Sequence, residues 1–268
     1  MLSSRQRVRT IEKHFGRKTA GPVGVYKAIR RSIDRHKAIS VIRLGDVMAK
    51  LLSGRNVKSL NYVSDFLGIP LPPPKKLRME LVQAVRSSNI VGLSHYESSM
   101  KYISLFMKRS GWRPPVIVDS FINDQLYERG MIHRLLRSYK VALVGRAAPA
   151  AAKELRRHGI RVALTVPLDN YGGLAAAYRT LARHKGSYQL VLVGASVPGR
   201  ILCPRIARRL GRTAIEIGHM MDALASRAAG ASTRTAGASS SSAGCARSAH
   251  AGSGAEAAAS RSVERERQ

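Results

Sequence analysis

Residues 189–224 read QLVLVGASVPGRILCPRIARRLGRTAIEIGHMMDAL, and this stretch decides the fold class. LVLVG is a short apolar run of strand type that stops at Gly194. Pro198 suits the first turn of a following helix, where N–H groups are spare, and Gly211 suits its end. TAIEIG is a second short strand stopping at Gly218, and His219 and Asp222 follow at helical spacing, on one face. Strand, helix, strand, helix, with polar groups just past the strand ends, is the grammar of an open α/β sheet.

The same grammar extends outward. Apolar runs recur at 39–42, 89–93, 116–119, 140–145 and 160–167, and amphipathic segments at 23–36, 75–87, 97–110, 121–139, 148–159 and 174–186 lie between them. Residues 121–139 read as one helix with a possible break at Gly130, and a short helix is expected around 61–68. About seven strands alternating with helices predict an α/β fold: a single Rossmann-like domain, a mostly parallel central sheet and helices on both faces. Residues 1–22 read as a basic lead-in, partly helical, 23–225 as the α/β domain, and 226–268 as a disordered tail. The tail is rich in Ala, Ser, Gly and Arg, has no aromatic residue, and offers little apolar surface to offset ordering entropy.

Composition narrows the function without choosing it. The 268 residues carry a formal net charge of +30, which attracts polyanions: nucleic acid, anionic membrane or phosphate-bearing small molecules. No apolar run is long enough to cross a membrane, and the N-terminus lacks a secretory apolar region. Cys203 and Cys245 form no metal or redox pattern, so a cytoplasmic location is expected.

The strand ends finish in Gly, Asp, Ser, His or Asn, which would line one crevice if the strands are parallel; the same residues are also good turn formers. GASVPGRI (194–201) has the glycine spacing of a phosphate-binding loop but lacks its Lys-Ser/Thr pair. No GxGxxG, HExxH, GxSxG or zinc-type cysteine cluster occurs. His95 and His219 are candidate acid–base groups or structural, hydrogen-bonded histidines. Arg43 and Arg146, at strand ends, suit a phosphate ligand or a solvated surface. Asn123 suits a ligand contact or a helix cap, and Asp46 sits where a carboxylate can cap a helix.

Two segments resemble the GT-D-fold glycosyltransferases, a bacterial family with a single Rossmann-like nucleotide-sugar-binding domain. VIRLGDVMAKLL is similar to that family's Arg-x-Gly-Asp-x-Glu segment, and AIEIGHMMD to its C-terminal strand with Asp-x-Gly-His and a later Asp. SFINDQLYERGMIHRLLRSYKVALVG between them matches the family's run of helix, basic turn and Gly-ended strand, and the likeness spans roughly residues 25–225. The resemblance implies a nucleotide-diphosphate sugar, such as a UDP-sugar, as donor to an unknown acceptor. It implies Arg43, Gly45, Asp46 and Gly218 in nucleotide binding; their places at strand ends add Arg146 and Gly194 as candidates for the same work, and the helix start after VIVDS adds Asn123. His219, Asp222 and His95 become the catalytic candidates. It also implies a Mn or Mg ion on Asp46, but the motif's glutamate is Met48 here, and Glu216 replaces its second aspartate. A thioether does not bind a hard cation. Asp119 or Glu97 could then serve the metal, or basic groups could neutralise the diphosphate without one. A binding-only relative that has lost catalysis is a further possibility. A non-catalytic nucleic-acid or polyanion binder is the competing class, with few aromatics available for base stacking.

Overall fold

The computed structural model describes residues 2–226. The reading of a disordered tail therefore falls, from Arg227 on, outside the described residues, as does Cys245.

Every expected strand forms: β1 Ser40–Leu44, β2 Ile90–Leu93, β3 Val116–Asp119, β4 Val141–Gly145, β5 Val162–Val166, β6 Leu190–Gly194 and β7 Thr213–Glu216. They make one sheet in the order β3-β2-β1-β7-β6-β4-β5. Each neighbouring pair is parallel. Strands buried on both faces need apolar residues at every position, which is why LVLVG and VALVG read as unbroken runs.

Alternate residues of each strand feed two cores. Val191 and Val193 of β6 join a cluster on one face with residues of α1 (Ser4–Phe15), α3 (Asp46–Ser53), α5 (Lys75–Arg86), α6 (Glu97–Ser110), α10 (Leu174–Arg183) and α11 (Ser196–Leu210). Leu190 and Leu192 join the opposite cluster with α2 (Pro22–Asp34), α7 (Ile122–Glu128), α8 (Met131–Ser138), α9 (Ala148–Arg157) and α12 (Met220–Ala225). A 3-10 turn at Val57–Val63 and α4 (Ser64–Leu67) replace the single short helix expected around 61–68. Gly130, at φ +66°, does divide 121–139 into α7 and α8.

The basic lead-in contributes to the core. Ser3 and Gln6 form a reciprocal capping box that starts α1, and Ile11 on its inner face is fully buried. Burying one such side chain is worth about 2 kcal/mol.

Candidate functional site

In a parallel sheet all carboxyl ends lie on one edge. β1 leads there into α3 on one face, while its neighbour β7 leads into α12 on the other. Chains leaving to opposite faces open a crevice between the two strands.

Arg43 and Glu216 meet at that point across 173 residues of sequence. Arg43 Nε donates to Glu216 Oε2 at 2.8 Å and Arg43 Nη2 to Oε1 at 3.0 Å. Arg200, reaching in from α11, donates its Nε to the Arg43 carbonyl at 2.9 Å and lies 3.9 Å from Glu216 Oε2. All three side chains are buried, the carboxylate completely. Burial alone would push the Glu216 carboxyl up. The Arg200 and Arg43 guanidiniums outweigh it, with His219 adding to them, and hold it below the ordinary glutamate value. Arg43 is thus clamped by a forked ion pair and fixes the ends of β1 and β7 relative to each other.

Glycines make room for this cluster. Gly218 sits at φ +54°, and a Cβ there would run into the Arg43 guanidinium. On β2, a Cβ at Gly92 would lie 3.3 Å from Arg43 Cγ. Gly194 lies beneath the β7–α12 turn, where a Cβ would be 3.0 Å from the Gly218 carbonyl oxygen. Gly45 differs, because a Cβ there meets nothing within 4 Å. The crevice is open beside it.

Asp46 does not cap α3. The N-cap is Gly45, no side chain caps the helix, and Asp46 is its first helical residue. Its carboxylate is instead held by Lys50 Nζ, one turn on, at 2.8 Å on Oδ2, and by Ser99 Oγ of α6 at 3.4 Å on Oδ1. Met48, two residues on, is fully buried in the core.

His219 pairs with Asp124 of α7, Nε2 to Oδ1 at 3.0 Å. The imidazole is 43 % exposed and the carboxylate 20 % exposed, so a half-open histidine is braced by a more buried acid. Asp222 is exposed. Asn123 is buried and caps no helix. It donates Nδ2 to the Ile217 carbonyl at 2.9 Å, tying α7 to the end of β7.

His95 sits in a neighbouring group at the ends of β2 and β3. Asp119 there is 2 % exposed and receives Arg7 Nε at 2.8 Å, Gln125 Nε2 at 2.9 Å and the Phe121 N–H at 3.1 Å. Arg7 also stacks over Phe121 at 4.6 Å. Burial pushes the His95 imidazole below the ordinary histidine value; Asp119 opposes this and Arg7 adds to it. Arg146, at the end of β4, pairs with Asp169 at 3.5 Å. Both line a separate open cleft of about 470 Å³ with Asp65, Gly68, Asn170 and Tyr171.

A family model for the GT-D fold-like domain matches residues 20–224. The chain belongs to the GT-D-like family. Among curated proteins none matches it. A solved structure described as the highly conserved domain of unknown function 1792, with a distinct glycosyltransferase fold, superposes with a TM-score of 0.53 at 16% identity, over 80% of this chain and 82% of that one. A selenomethionine-substituted structure of the same domain gives 0.54 at 15% identity with the same coverage. A glycosyltransferase of this domain type from Streptococcus sanguinis gives 0.49 at 18% identity, over 72% of this chain and 80% of that one. At these identities the likeness is one of fold.

In this GT-D-like chain the residues at the end of β1 do not suit a divalent cation. Both Asp46 oxygens are engaged by the chain itself, one of them by an ammonium. Met48 faces the core. Glu97 is exposed and paired with Lys101 at 2.6 Å, and Asp119 is enclosed by Arg7 and Gln125. No group of three His, Cys, Asp or Glu side chains suited to a metal occurs among the described residues.

The tertiary structure adds Arg200, Asp124, Lys50 and Arg7 to the site residues the sequence suggested. Lys50 alone carried a usable signal, since a lysine four residues after an aspartate on a helix is in reach of it. The other three join the site through contacts between elements remote in sequence.

Proposed function

We propose that this GT-D-like protein transfers a sugar from a nucleotide-diphosphate donor, with UDP-sugars the first class to test, to an acceptor hydroxyl. The observation that carries this reading is the meeting of the two motif segments. Arg43-Leu44-Gly45-Asp46 and Glu216-Ile217-Gly218-His219 end adjacent strands at the crevice, locked by the Arg43–Glu216 pair.

In such a transfer the acceptor oxygen bonds to the anomeric carbon as the bond from that carbon to the diphosphate oxygen breaks. The bonding electrons leave with the nucleoside diphosphate, and the acceptor proton passes to a base. His219 is the base in this reading. It lies at the crevice, and Asp124 fixes its ring and offsets the charge it gains. Arg43, Glu216 and Arg200 position the strand ends, and positive charge near the leaving group stabilises it as it departs. Asp222 and His95 are the reserve bases. Arg146 lies in the second cleft, whose carboxylate, amide and aromatic lining suits a polyhydroxylated acceptor. Among the described residues no helix is long and apolar enough to cross a membrane.

Release of nucleoside diphosphate from a panel of sugar nucleotides tests the proposal. His219→Asn is expected to lower turnover by about 100-fold or more, the ordinary contribution of a general base. Asp124→Asn should lower it less and displace the pH profile. Sugar nucleotides that bind while no sugar leaves would identify a binding-only relative. Tight, sequence-independent binding of RNA or DNA that collapses with salt, with no nucleotide bound, would favour the polyanion reading.

A further inference from the structure

We propose that the donor's diphosphate is met in this protein by an ion pair built into the chain, Asp46–Lys50, in place of a divalent cation. This rests on the nucleotide-sugar reading above and names how its charge is handled. The resemblance would put two carboxylates and a divalent ion at the end of β1, a group of zero net charge. Here the same turn carries one carboxylate, a neutral methionine and one ammonium, also zero. In this chain Lys50 thus balances the Asp46 charge at the turn where the resemblance would place a glutamate and a cation.

The geometry agrees. Lys50 lies one turn into α3, and its side chain is only 7 % exposed, yet Nζ returns to Asp46, which is 36 % exposed beside the open space at Gly45. The apolar stem is packed in the protein and the ammonium is held at the partly exposed carboxylate, so the charge is fixed in place. An ammonium has three donors. Asp46 takes one, and no further partner of Lys50 Nζ occurs among the described residues. Two donors of a nine-tenths buried cation are thus left for an acceptor that is not part of this chain. A phosphate oxygen is such an acceptor, and a lysine binds it as a point charge. Ser99, fully buried, holds the other Asp46 oxygen and completes the brace.

Calorimetric titration with UDP, and with GDP and ADP in parallel, tests this on the full chain in buffers containing either manganese or EDTA. The wild-type protein is expected to bind one of these nucleotides equally in both. Lys50→Met should weaken binding about tenfold or more, the equivalent of one lost charge-assisted contact. Lys50→Arg should recover part of it. Asp46→Asn should weaken binding less than Lys50→Met does, and to the same extent in manganese and in EDTA, because in this arrangement Asp46 orients the ammonium and holds no metal. Thermal melts of each variant separate lost binding from lost folding. Manganese tightening wild-type binding tenfold, with Asp46→Asn abolishing it, would overturn the inference while leaving the glycosyltransferase reading intact. A folded Lys50→Met that binds like wild type overturns it equally. No nucleotide bound in either buffer removes both.

Discussion

Glu216→Gln removes one charge and almost no volume from the centre of the site. The glutamate accepts two hydrogen bonds from Arg43, at 2.8 and 3.0 Å, and lies 3.9 Å from Arg200, with no exposure of its own. Glutamine keeps one acceptor oxygen but turns an NH2 group toward a guanidinium donor, and both buried arginines lose the Glu216 charge. Removing one partner of a buried ion pair costs about 3–5 kcal/mol. For a domain of this size each kcal/mol lowers the melting temperature by about 2–4 °C, so a fall of roughly 6–20 °C is expected. Calorimetry and urea denaturation at pH 7.5 would read it. The pH dependence gives a second check. The carboxyl is held below its ordinary value in the fold, so its stabilisation is complete above the unfolded pKa of about 4.3 and is lost as pH falls through the folded value. The gap between wild type and variant should therefore close in acid. Arg43→Met, Glu216→Leu and Arg200→Met made together should recover much of the loss, since apolar replacement of a whole buried ionic group is often neutral, whereas Arg43→Met with Glu216→Leu leaves Arg200 buried beside an apolar side chain. A single Glu216→Gln change that costs under about 1 kcal/mol at pH 7.5 would refute the assignment of this pair as the joint between β1 and β7.

Two further outcomes follow from the same edge of the sheet. Gly218→Ala places a side chain at φ +54° and against the Arg43 guanidinium. It should cost more than the roughly 1 kcal/mol of an ordinary strained Gly→Ala change, read as a drop in urea midpoint, and should weaken nucleotide binding as well. His95 is held below the ordinary histidine value by burial. Its neutral form is the one the fold accommodates, so stability is complete above about pH 6.5 and declines as pH falls through that range toward the folded value. His95→Gln should flatten this decline in unfolding curves taken between pH 7.5 and 5.5, and an unchanged slope would remove His95 as its source.

Particular elements show how far the sequence could be read. LVLVG, VALVG and TAIE announce themselves because a parallel sheet buries both faces of every strand. Gly211 and Gly130 mark helix ends because the left-handed turn there favours glycine. Asp46 was misleading: a carboxylate after a strand suggests a cap, but here a lysine four residues on competes for it and wins. The lead-in was half legible. Its charge was visible, but Arg7 reaching Asp119 across 112 residues was not.

By itself, then, the sequence determined the elements, their alternation and hence the layered α/β class, because these follow from local periodicity, glycine and proline geometry, and the burial of unbroken apolar runs. The two motif segments could also be found by inspection. Only the tertiary structure decided that β7 lies beside β1, that Glu216 clamps Arg43 and Arg200, that Asp124 braces His219, and that Met48 turns into the core while Lys50 turns back to Asp46. Strand order and ion-pair partners depend on which surfaces pack together in three dimensions, and a side chain's charge says nothing about which distant opposite charge it will be buried against.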